Sequence, residues 1–144
     1  MSIETQDVTQ EAPATPAPQK GGVAPYLTLD GARKAADFYV KAFGAEIATI
    51  MPPDPKGRYI HIHLYINGSS VMLSDAFEDH GHPWVPPAGF SLNLGVEDAD
   101  AWADRAAKAG AEVIMPVQDM FWGDRYGQVR DPFGVTWAFN QPKG

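Results

Sequence analysis

Two short strings decide the fold: Gly44-Ala45-Glu46-Ile47 and Gly110-Ala111-Glu112-Val113. Each opens on a glycine placed where a helix wants a left-handed cap, and each leads into a strand. Before the first, Ala35, Phe38, Tyr39, Ala42 and Phe43 form an apolar stripe at helical spacing; before the second, Ala99, Trp102, Ala106 and Ala109 do the same. Further upstream, Tyr26-Leu27-Thr28-Leu29 and Ser91-Leu92-Asn93-Leu94 alternate polar and apolar residues, as a strand with one buried face requires. The same order of strand, helix and strand therefore occurs twice, and the chain reads as an internal repeat.

The remainder of each copy is strand. In the first, residues 46–51 lead through a Pro-rich connection to a strand at 59–66, a hairpin turn at Asn67-Gly68 and a strand at 70–74. In the second, residues 113–115 are followed by a loop holding Phe121, Trp122 and Gly123, then by strands at 125–130 and 135–139. The last two join through Asp131-Pro132-Phe133-Gly134, with Asp, Pro and Gly where a type I turn favours them. Glu97-Asp98-Ala99-Asp100 reads as the acidic cap and first turn of the second helix. The fold class is α+β, two tandem β-α-β-β-β units at about 23–76 and 89–140. They form one domain over 23–140, preceded by a flexible arm at 1–22 rich in Ala, Pro, Thr and Gln, and followed by a tail at 141–144.

Composition narrows the functions open to such a domain. The chain has 144 residues, 44% hydrophobic and 20% charged, enough to bury one core. Its net charge of −7 repels phosphate backbones and anionic lipid, so neither nucleic acid nor membrane is an expected partner. With no cysteine there are no disulfides, thiolate metal sites or Cys nucleophiles. No Ser nucleophile elbow, GxGxxG or Walker loop occurs. The absence of a long apolar run or a signal-peptide pattern makes the cytoplasm the expected location.

The paired units, with Pro25-Tyr26-Leu27, Phe38-Tyr39, Leu73-Ser74-Asp75, Phe121-Trp122-Gly123-Asp124-Arg125-Tyr126-Gly127 and Asp131-Pro132-Phe133-Gly134, resemble the vicinal oxygen chelate superfamily. That superfamily includes glyoxalase I, extradiol dioxygenases and bleomycin-resistance proteins, and the motifs are most similar to its PhnB-like branch. The resemblance implies curved mixed sheets with helices on their convex faces, a central cavity between the two units, and a homodimer. Alternation then sorts the strands: Leu27, Leu29, Ile60, Ile62, Leu64, Ile66, Val71, Leu73, Leu92, Leu94, Val135, Trp137 and Phe139 belong under helices. Ala24, Tyr26, Thr28, His61, His63, Tyr65, Met72, Ser74, Ser91, Asn93, Thr136 and Ala138 belong on the cavity side.

Metal-using members, as the resemblance implies, carry His, Gln or Glu at four cavity positions. Here those positions fall on Ala24, Met72, Ser91 and Ala138, none of them a good ligand for Zn, Ni, Mn or Fe(II). The leading expectation is therefore a protein that binds a small organic molecule without the usual metal quartet, by sequestration or metal-independent catalysis. The expected ligand-binding residues are Tyr26, Thr28, Tyr65, Met72, Ser74, Ser91, Asn93, Trp122, Arg125 and Ala138, with His61 and His63 as general-base candidates. No cofactor is expected. Two alternatives stand beside it. One is a divalent-metal lyase, isomerase or dioxygenase with its ion (Zn, Ni, Mn or Fe) relocated to His61 and His63, near His80, His82, Glu78 and Asp79. The other is a non-catalytic interaction module.

Overall fold

The computed structural model describes residues 17–143. It divides into two compact units, one comprising residues 17–40 with Gly44–Val85, the other Lys41–Phe43 with residues 86–143. Elements are numbered along the chain: β1 (Tyr26–Leu29), α1 (Ala32–Phe43), β2 (Glu46–Ile50), β3 (Ile62–Ile66) and β4 (Ser69–Asp75), then β5 (Leu92–Gly95), α2 (Ala99–Ala109), β6 (Glu112–Asp119), β7 (Asp124–Arg130) and β8 (Thr136–Pro142). The first sheet has the order β1-β4-β3-β2 and the second β5-β8-β7-β6. In each, the first and last strands of the unit pair in parallel and the other pairings are antiparallel. The repeat of two β-α-β-β-β units is thus present, in mixed sheets.

Alternation explains the first core. Leu27, Leu29, Ile62, Leu64, Ile66, Val71 and Leu73 are buried, together with Ala32, Ala35, Ala36 and Tyr39 of α1. Each large apolar side chain so covered contributes roughly 1.5–3 kcal/mol. The helix has no capping side chain at Gly31, and Gly44 closes it in the left-handed conformation, φ 67° and ψ 30°. The Asn67-Gly68 turn has φ of 51° and 82°, the two positive values that a tight hairpin between β3 and β4 needs.

In the second unit Val129, Val135, Trp137 and Phe139 are fully buried, and the Phe43 ring lies 4.7 Å from that of Trp137. Asp98 caps α2 by accepting from Ala101 N at 3.0 Å. The turn after β7 closes with Gly134 N donating to Asp131 O at 3.1 Å. Among the described residues no helix is long and apolar enough to cross a membrane.

Several expectations are corrected. The third strand starts at Ile62, not 59, because Tyr59 N donates to the Asp75 carboxylate instead of a regular ladder. Ile60, expected in the core, is 56% exposed. Leu92 is only half-buried. Strand β6 runs well beyond residue 115, through Pro116, which is tolerated because β6 is an edge strand with register shifts on both sides of Met115. Strand β8 continues to Pro142, so part of the expected tail is paired with β7. Gly110 has φ 125° and ψ 5°, outside the left-handed basin that Gly44 occupies.

Candidate functional site

The parity opposite the first core carries the polar and aromatic side chains. Register sets them in rows: Tyr26 beside Met72, Thr28 beside Ser74, and His63 on the other side of Met72. At one end of this face lies a recess of about 560 Å³, lined by Tyr26, Thr28, Ile60, Ser74, Asp75, Phe77, His80 and His82. The last three come from the segment after β4, which turns back on itself: Phe77 N donates to His82 O at 2.8 Å and His82 N to Phe77 O at 2.9 Å. A single 3-10 turn at Glu78–His80 and Gly81 at φ 81° make this reversal.

Asp75 shows at the recess but is spent on the fold. Its Oδ1 accepts from Gly31 N (3.1 Å) and Ala32 N (2.7 Å), and its Oδ2 from Tyr59 N (2.7 Å). It therefore caps α1 in place of the side chain Gly31 lacks, which offsets its charge against the positive end of the helix.

Beside the recess Tyr26 Oη donates to the Ile60 carbonyl at 3.1 Å and lies 2.7 Å from His61 Nδ1. Burial pushes the Tyr26 phenol up and the His61 imidazole down from their ordinary values. His63 is pushed down as well, by burial first and then by the charge His61 would carry. Burial thus favours the neutral form of all three. His63 is 2% exposed, and its Nε2 sits 2.7 Å from Ser70 Oγ. That hydroxyl also accepts from Lys20 N at 2.8 Å. Tyr65 donates to Pro18 O at 2.6 Å while Lys20 Nζ stands 4.0 Å over its ring. Of the expected arm, then, Pro18 and Lys20 are fastened to the first sheet, and residues 1–16 lie outside the described residues.

The donor set does not suit the superfamily's metal. Ala24 and Ala138 have no donor atom, Met72 offers a thioether and Ser91 a neutral hydroxyl. The relocated alternative has two imidazoles with ring centres 6.3 Å apart, each already within hydrogen-bond distance of a neighbour. Among the described residues no three His, Asp or Glu side chains come together as an ion would need.

The structure thus brings Tyr26, Thr28 and Ser74 together at the recess, with His61 beside Tyr26 and with Met72, His63 and Tyr65 further along the same face. The other expected residues belong to the second unit. Ser91 and Asn93 are exposed, whereas Ala138 is fully buried. Trp122 sits at the β6–β7 tip against Phe121 and Tyr126, ring centres 5.1 and 5.5 Å away. Arg125 grips Asp100 with Nε (2.6 Å) and Nη2 (2.9 Å) and donates from Nη1 to Asp119 (3.0 Å). Those carboxylates hold its charge more firmly than usual and fasten β7 to α2 and β6. Phe77 was not foreseen as a site residue; His80 and His82 were, but only as metal donors.

Comparison with known proteins agrees with this architecture. The profile of the Glyoxalase/Bleomycin resistance protein/Dioxygenase superfamily matches residues 25–139. The Rv0887c protein of Mycobacterium tuberculosis is 43% identical over 83% of this chain and 74% of its own length. The crystal structure of TnmS3, an antibiotic binding protein from Streptomyces sp. CB03234, is similar with a TM-score of 0.63 at 28% identity, over 83% of this chain and 93% of that one. The fold is shared with the PhnB protein of Bacillus cereus, with a TM-score of 0.65 at 23% identity over 84% and 99% of the two chains.

Proposed function

From the premise that this chain belongs to the Glyoxalase/Bleomycin resistance protein/Dioxygenase superfamily, we propose that it sequesters a small organic molecule on the open face of its first sheet, without a metal quartet. The observation that carries this reading is the recess of about 560 Å³, which falls in the usual range for small-molecule sites. Its chemistry suits a flat, uncharged or weakly polar body. Ile60, Phe77 and the Tyr26 ring offer apolar surface; Thr28, Ser74, His80 and His82 offer hydrogen-bonding atoms to fix its orientation. That TnmS3 binds an antibiotic supports the same class of role. A homodimer belongs to this reading too, tested by sedimentation equilibrium.

A thermal-shift screen of the metal-free protein against small aromatic compounds, followed by calorimetric titration of the hits, tests the reading. Thr28→Trp, which fills the recess, should weaken binding at least about tenfold, roughly 1.4 kcal/mol. Hits that bind Thr28→Trp unchanged would place the site elsewhere. Elemental analysis of protein purified without chelator gives an independent check. About one equivalent of Zn, Ni, Mn or Fe per chain, lost in His61→Ala, would overturn sequestration in favour of a relocated metal site.

A further inference from the structure

The wall of the recess has little apolar anchorage of its own. None of the residues in the 3-10 turn Glu78–His80 is buried, and Phe77 is only half-buried. Packing alone does little to fix where His80 and His82 stand. Beyond the Phe77–His82 backbone pair, a guanidinium reaches this wall. Arg58, from the connection between β2 and β3, donates from Nη1 to Asp79 Oδ1 at 2.6 Å and from Nη2 to Asp79 Oδ2 at 3.3 Å. Its central carbon stands 4.3 Å from the centre of the Phe77 ring. The other edge is pinned, with Nε donating to Asp54 Oδ2 at 2.9 Å. Asp54 in turn accepts from Lys56 N (3.0 Å) and Arg58 N (2.8 Å), so the loop that presents the guanidinium is itself tied.

We propose that Arg58 is a positioning residue for the recess: through Asp79 and the Phe77 ring it latches the 77–82 wall to the 54–58 loop and so holds His80 and His82 in place. The proposal rests on the recess being the binding site. Arg58 is suited to the task because its planar fork meets two carboxylates and an aromatic face at once, which an ammonium cannot do. Its side chain is 22% exposed, and that of Asp79 41%. At that exposure each ion pair is weak singly, and the latch draws its strength from the network.

Two measurements decide it. Amide exchange by NMR, on the full chain without ligand, follows Phe77, His80, Gly81 and His82 in the wild type, Arg58→Ala, Arg58→Lys and the isosteric Asp79→Asn. Titration with the fluorescent probe 8-anilinonaphthalene-1-sulfonate, using Thr28→Trp as the filled-recess control, follows binding. Arg58→Ala should exchange these amides roughly fivefold faster, with Arg58→Lys and Asp79→Asn between it and the wild type. Probe affinity should fall by a similar factor while β3 and β4 amides keep their protection. Unchanged exchange at 77–82 overturns the latch, as does a loss of protection spread equally through β3 and β4. A probe that binds wild type and Thr28→Trp alike overturns the recess as a binding site, while the exchange data still decide what Arg58 does.

Discussion

The two units are built to one plan, yet they spend their open faces differently. In the first, β3 carries His63 and Tyr65 at alternate positions, with His61 just ahead of it; in the second, β7 carries Tyr126 and Gln128. The second set satisfies itself, with Gln128 Nε2 donating to Tyr126 Oη at 2.9 Å and Asn140 Nδ2 to Asp124 at 3.0 Å. The helix caps show the same divergence beneath a shared role. Asp75, at the end of β4, takes Gly31 N and Ala32 N, and Gln141, near the end of β8, takes Ala99 N at 2.9 Å. Duplication preserved what the fold requires: a buried parity, a capped helix and a parallel strand pair. The other parity differs between the units, and in the first it carries imidazoles and borders a recess.

The largest effect that probes this contrast is expected at Asp131 of the second unit, the one buried carboxylate among the described residues. Asp131, 3% exposed, accepts from Phe133 N, Val135 N and Trp137 Nε1 at 2.9–3.0 Å. Asp131→Ala strands three donors and should cost about 3–4 kcal/mol in urea unfolding. Next is Gly127, whose added Cβ would come within 2.6 Å of Val117 Cγ2. Gly127→Ala should cost about 2 kcal/mol through overpacking, whereas β3 of the first unit contains no glycine at all. The caps sharpen the comparison further. Asp75→Ala removes a carboxylate serving three N–H groups and should cost about 2 kcal/mol, against about 1 kcal/mol for Gln141→Ala, which loses one neutral bond.

The smallest effect is a slope in stability against pH. His61 and His63 both titrate below the ordinary imidazole value, so the unfolded chain takes up protons first on acidification. The stability their neutral forms confer is intact above about pH 6.5 and declines as the pH falls toward the depressed folded values. His63→Gln should flatten the fall below about pH 6.5. An unchanged slope would assign the acid sensitivity to other groups.

Much of this was legible in the chain itself. The alternation at Tyr26–Leu29 and the helix stripe ending at Gly44 announce the first unit, and the second repeats them, because periodicity reports directly which face is buried. The same alternation puts Tyr26, Thr28 and Ser74 on one face, and all three line the recess. The wall of the recess was not legible in this way. The Phe77–His82 pairing has no period, and Arg58 reaches Asp79 from 21 residues away in sequence. Ile60 escaped for a related reason: the alternation assumed a regular ladder, and the Asp75 carboxylate replaced one of its rungs. Arg125 was legible as a charge but not as a satisfied one, because its partner Asp100 lies in the preceding helix.

The most direct test of the central claim is chemical-shift mapping of the metal-free protein titrated with a hit from the thermal-shift screen. The amides of Tyr26, Thr28, Ser74, His80 and His82 should move together, at one saturating concentration. Shifts confined to Ser91, Asn93 and Trp122 of the second unit, with those five residues still, would contradict it.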